Sequence, residues 1–105
     1  MITRVATFEG VVAPENRDAF YAHVRQKLMP LWQQFPGARE IDVHFPYAAD
    51  PMAPPVALLL TMRFDDQAAL EVMLASDVRA ASKPLTAELL TMLEGRLYHH
   101  VFVGA

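Results

Sequence analysis

The chain has 105 residues, enough for one domain, so a single domain spanning 1–105 is expected. Hydrophobic residues make up 53% and charged residues 20% of it, which is more apolar material than one small core needs, so either both faces of a sheet are buried or a subunit interface takes up the excess. A net charge of −3, a pI near 5.7 and scattered Lys and Arg exclude nucleic acid and membrane surfaces as partners, and zero cysteines exclude disulfides, thiolate nucleophiles and cysteine-ligated metals.

Ile2 to Val12 reads as a strand, with Val, Thr and Phe crowded ahead of Gly10. Its one basic residue, short apolar spells and early Glu9 do not make a signal peptide. From about Glu15 the period changes: Phe20, Val24, Leu28, Leu31 and Phe35 line one helical face. Pro30 is expected to kink this helix and Pro36-Gly37 to end it. Glu40 to Phe45 alternates, with Ile41, Val43 and Phe45 pointing one way and Glu40, Asp42 and His44 the other. The stretch PYAADPMAPP, residues 46–55, reads as a stiff loop.

Val56 to Phe64, VALLLTMRF, is apolar on both parities, as a strand buried on both faces would be. Asp65 or Asp66 is positioned to cap a helix whose buried side is Leu70, Met73 and Leu74. Ser76-Asp77 and Lys83-Pro84 read as two breaks, followed by a stripe of Leu85, Leu89, Met92 and Leu93 that Gly95 closes. RLYHHVFV, residues 96–103, supplies the last strand. No apolar run is long enough to span a bilayer, and a soluble, cytoplasmic protein is expected.

The order β-α-β-β-α-β, with short connections and right-handed crossovers, predicts an α+β, ferredoxin-like domain: a four-stranded antiparallel sheet with its helices on one face. The other face is left bare. Burying one Leu or Phe is worth about 1.5–3 kcal/mol, so apolar residues on that face predict a homodimer formed through the open sheet faces.

The chain resembles the dimeric α+β barrel superfamily, which includes EthD-like proteins and antibiotic-biosynthesis monooxygenases. The resemblance spans nearly the whole length and rests on the element order, on FPGARE (Phe35 to Glu40), on MRFDDQAALEVMLAS (Met62 to Ser76) and on the late EGRLYHHVFV. It implies sheets packed face to face and a pocket between sheet and helices in each subunit. Members of the superfamily include cofactor-independent oxygenases, cyclases, isomerases and haem-degrading enzymes, so fold alone does not choose the chemistry. The asparagine–tryptophan–histidine set of the haem-degrading members is not matched: Trp32 is the only tryptophan, and Asn16 stands in the turn before the first helix.

Alternation decides how the polar residues of the last strand are read. His99 and His100 point to opposite faces and cannot jointly hold one metal without a bulge. Tyr98, His100 and Phe102 share the face expected to be open, while His99 sits with Leu97, Val101 and Val103 and is expected to be structural. His44 belongs to the same open face. A histidine near neutral pKa beside a phenol suits proton transfer to or from an enol or quinol, so His44, His100 and Tyr98 are the candidate catalytic residues. Arg63, Tyr47 and Phe102 are the candidate substrate-binding residues; Arg63 and Arg4 either orient an anionic oxygen or sit in strand-end salt bridges. No cofactor or metal is expected, since no motif for one is present. The expected ligand is a hydrophobic, enolisable or phenolic small molecule, taken either by an enzyme, including a cofactor-independent oxygenase, or by a non-catalytic binder on the same barrel.

Overall fold

A computed structural model describes residues 1–105. The elements are β1 (Ile2–Val12), a 3-10 turn (Pro14–Asn16), α1 (Arg17–His23), a π-helical segment (Val24–Leu28), α2 (Met29–Trp32), β2 (Arg39–His44), β3 (Val56–Phe64), α3 (Gln67–Leu74), α4 (Asp77–Leu90) and β4 (Leu93–Val103). The four strands form one antiparallel sheet in the order β2-β3-β1-β4. This is the ferredoxin-like arrangement that the element order predicts, with β2 and β4 at opposite edges.

The register assigns each side chain to a face. Arg4, Ala6 and Phe8 of β1 stand beside Met62, Leu60 and Leu58 of β3 and beside Val101, His99 and Leu97 of β4. The helices cover this side. Phe8, Leu58, Met62 and Phe64 from the sheet and Phe20, Val24, Leu28, Met73 and Leu89 from the helices are fully buried there. The opposite side mixes Val5, Leu59, Tyr98 and Phe102 with Thr3, Thr61, Arg63, His44 and His100. Within one chain β3 is therefore buried mainly on one parity: Ala57 is buried on the other, but Leu59, Thr61 and Arg63 keep solvent exposure.

The first helix changes form at the place where the Pro30 kink is expected. Before Pro30 the turn widens, and the Met29 N–H donates to Val24 O, five residues back. A regular α-helix advances about 100° per residue, so a stripe with steps of four drifts about 40° per turn; the wider π turn takes that drift back. The buried stripe consequently continues as Phe20, Val24, Leu28 and Trp32, with Leu31 only half-buried. Pro84 also departs from expectation, for it lies inside α4 rather than starting a helix. Hydroxyls take up carbonyls around it, with Ser82 Oγ donating to Arg79 O at 2.6 Å and Thr86 Oγ1 to Ser82 O at 3.0 Å. The expected cap forms, with Asp66 accepting from Ala69 N, and the break at Ser76 proves to be a cap as well, Ser76 accepting from Arg79 N.

Gly95 does not close a helix. It lies in β4 opposite Gly10, and a Cβ on either would collide with backbone of the facing strand. Strand β4 thus begins at Leu93, and the Gly10–Gly95 crossing lets β1 and β4 pair along their full length. At the other edge, the register of β2 on β3 shifts between Arg39 and Asp42, where Glu40 has φ 47° and its carboxylate pairs with Arg63 at 2.7 Å.

His23, on the first helix one residue before the stripe member Val24, is buried, and its Nε2 donates to Leu85 O at 2.7 Å. It ties α1 to α4 in the turn that follows Pro84.

Candidate functional site

Between the covered face of the sheet and α4 lies a cavity of about 270 Å3, near the lower end of small-molecule sites. Its floor is Arg4, Ala6 and Phe8 from β1, Leu60 from β3, and Leu97 and His99 from β4. Its roof is one face of α4, where Arg79, Ser82, Lys83, Thr86, Ala87 and Leu90 recur at three- and four-residue spacing. Trp32 and Phe35 close a third wall from the end of the first helix.

The electrostatics of this cavity are one-sided. Arg4, Arg79 and Lys83 line it, and no Asp or Glu does. The ion pairs of the chain are His23–Glu88, Arg39–Asp65, Arg63–Glu40 and Arg96–Glu9, so none of the three cavity cations is neutralised by a carboxylate. Partial burial and the nearby Arg79 guanidinium hold the Arg4 pKa below its usual value. Partial burial, then Arg4, then Arg79 push the His99 imidazole down to about 4, so it is neutral at pH 7 and able to accept a proton. The ring is not sealed off, since His99 on the edge strand keeps an exposed side.

The other polar residues singled out from the sequence stand outside this cavity. Tyr98, His100 and Phe102 occupy the open face of β4 as a column of rings, with centroids 5.4 Å apart for Tyr98–His100 and 5.7 Å for His100–Phe102. The Tyr98 hydroxyl donates to Glu9 Oε1 at 3.0 Å. That bond, with slight desolvation and the Glu9 charge, raises the phenol pKa, and Arg96 opposes the rise. His44 is on the same open face but on β2. It aligns with Leu59, Thr7 and Tyr98 across the sheet, three strand spacings or about 14 Å from β4. Within one chain His44 therefore does not meet His100 or Tyr98. Arg63 is held by Glu40. Tyr47 is fully exposed on the 46–55 loop, over a broad groove that it shares with His44. No three His, Asp or Glu side chains converge as metal ligands would.

Sequence reasoning passed over His99 and Arg79. The parity of β4 already set His99 on the helix side; what it lacked was Arg79, which lies on α4 and joins His99 only through the packing of α4 on the sheet.

Comparison with known proteins supports the fold. No family model matches the sequence, and no curated protein matches it significantly. Among solved structures, an EthD family protein from Bacillus halodurans C-125 superposes with a TM-score of 0.76 at 23% identity, covering 100% of this chain and 99% of that one. A dimeric protein of unknown function with a ferredoxin-like fold, from Bacteroides fragilis NCTC 9343, gives 0.68 at 12% identity, covering 98% and 95%. The ActVA-Orf6 monooxygenase of Streptomyces coelicolor, solved with nanaomycin D, gives 0.65 at 16% identity, covering 99% and 87%. The chain shares its ferredoxin-like α+β fold with these solved structures. No helix is long and apolar enough to cross a membrane.

Proposed function

We propose that this protein binds a small hydrophobic molecule in the cavity beneath α4 and moves a proton on an enolisable or phenolic group of it. The observation that carries this reading is a neutral histidine beside two guanidinium groups without carboxylate partners, in a cavity whose other lining is mostly apolar, with Lys83, Ser82 and Thr86 as its remaining polar side chains. In that setting His99 accepts the proton. Arg4 and Arg79 stabilise the enolate or phenolate left behind, in a medium where charges interact more strongly than in water. As the anion forms, its charge offsets the arginines, and the affinity of His99 for the proton rises. The same anion is the species that a cofactor-independent oxygenation would need. The ActVA-Orf6 neighbour is described as a monooxygenase, which gives that subclass priority in a substrate search.

The open sheet face we assign to a homodimer contact, with Tyr98, His100 and Phe102 on one edge and His44 on the other. The aromatic column on that face and a dimeric structural neighbour support this. In this reading His100 and Tyr98 hold subunits together, and chemistry lies on the other side of β4.

The test is proton exchange in D2O at the activated methylene of phenylacetone, followed by NMR. The protein accelerates exchange at least about 100-fold, the lower range for general acid–base catalysis. His99→Gln abolishes the acceleration, and His44→Ala with His100→Ala keeps it. The opposite pattern of variants moves the chemistry to the open face. Binding without exchange makes the protein a non-catalytic binder on the same barrel.

A further inference from the structure

The chain path gives the cavity a direction. β3 ends at Phe64, opposite Ile2, and α3 and then α4 lead back across the sheet; α4 ends just before Leu93, which pairs with Val12. Helix α4 therefore runs along β1 in the same direction. Its first turns, with Arg79 and Lys83, lie over the Arg4 end of the sheet, and Ala87 and Leu90 lie over Phe8 and Leu97. The two surfaces agree in polarity from end to end: cationic where Arg4 meets Arg79 and Lys83, apolar where Phe8 and Leu97 meet Leu90. His99, paired with Ala6, stands between them, one same-face step from the Arg4–Val101 pair, or about 7 Å along the strand.

The charge at this end is unbalanced within the chain. Two guanidinium groups face each other across a partly buried space, with no carboxylate of the chain to offset them. Asp77, the acidic residue in the first turn of α4, does not line the cavity and makes no ion pair. Arg4 and Arg79 are half-buried and Lys83 is exposed, so an anion reaches all three from solvent. Guanidinium forks match a carboxylate in geometry and charge.

From this polarity we infer that the ligand is an amphipathic carboxylate, its anionic group held by Arg4 and Arg79 with Lys83 at the rim, and its apolar body lying toward Phe8, Leu90 and Leu97. The inference rests on the cavity being the ligand site and adds the class of ligand. His99 then meets the ligand a few bonds beyond the carboxylate, so the group that exchanges a proton is near the acid and not at the far end of the molecule. A cavity of about 270 Å3, at roughly 30 Å3 per displaced water, suits a single-ring acid.

Trp32 is the only tryptophan of the chain and lines the cavity, so its emission reports occupancy. The experiment titrates the full chain with 4-hydroxyphenylacetate, its methyl ester and tyramine, which share a ring and differ in charge. The acid binds at least tenfold more tightly than the ester, and tyramine more weakly than either. Arg4→Gln and Arg79→Gln each weaken the acid roughly tenfold, the loss expected for a charge-assisted hydrogen bond, and change the ester less than twofold; circular dichroism establishes that the variants fold. Equal binding of ester and acid, or an acid preference that survives both substitutions, overturns this inference and leaves the cavity reading standing. No response of Trp32 and no thermal shift with any of the three overturns both.

Discussion

The titration of His99 is the most exposed consequence of the cavity electrostatics. Its pKa is held at about 4 by partial burial, then by Arg4 and Arg79, against about 6.5 for an unhindered imidazole. Between those values the unfolded chain binds more protons at this site than the folded one, so stability rises with pH across the window. The contribution is fully present above about 6.5 and is lost as pH falls toward 4. Taken at face value, the difference 6.5 − 4 corresponds to about 3 kcal/mol at 1.36 kcal/mol per pKa unit. Solvent at the exposed side of the ring screens the arginines, and about 1 kcal/mol is the reasonable expectation. Imidazole carbon–proton correlations recorded from pH 3 to 8 follow each of the four histidines. His99 titrates near 4, Arg79→Gln raises that value, and urea unfolding of His99→Gln loses about 1 kcal/mol of the difference between pH 7 and pH 4. A His99 that titrates at 6.5 or above in the wild-type protein, or one indifferent to Arg79→Gln, would refute the picture of a neutral base between two cations.

Two further predictions concern the frame around the site. His23→Ala leaves the half-buried Leu85 carbonyl without its side-chain partner and opens a void, costing about 2–4 kcal/mol. At roughly 4–8 °C per kcal/mol for a domain of this size, calorimetry shows Tm lower by at least about 8 °C; a shift under 2 °C would mean that the α1–α4 tie carries little. Phe102→Glu places a charge at the end of the ring column on the open face. Sedimentation velocity at micromolar concentration finds a dimer in the wild type and a monomer in the variant, and a monomeric wild type would contradict the assigned contact.

How far these features were legible depends on their range in the sequence. Strand parity is a local property, and it separated His99 from His100 and put His44, Tyr98 and His100 on one side of the sheet. The cap at Asp66 and the break at Ser76 were equally local. The π turn was not legible, because a step-of-four stripe fits both a drifting α-helix and a straight one widened before Pro30; the choice of Trp32 over Leu31 as the buried residue depends on which forms. Gly95 read as a helix stop because a glycine after a helical stripe usually is one, and its need for close approach to Gly10 appears only when β1 and β4 pair. Arg4 and Arg79 are far apart in sequence. Arg4 alone reads either as an anion-orienting residue or as a strand-end ion-pair partner, Arg79 carries no signal of its own, and their joint effect on His99 belongs to the topology.

Leu59 and Leu60 offer the most direct measurement of the central claim, that the ligand site is the cavity between sheet and α4. They are neighbours on β3 that point to opposite faces, Leu60 into the cavity and Leu59 onto the open face in line with Thr7 and Tyr98. With methyl-labelled leucines and 4-hydroxyphenylacetate added, the account predicts shifts at Leu60, Leu90 and Leu97 and none at Leu59. Shifts confined to Leu59 would place the ligand on the open face and contradict it.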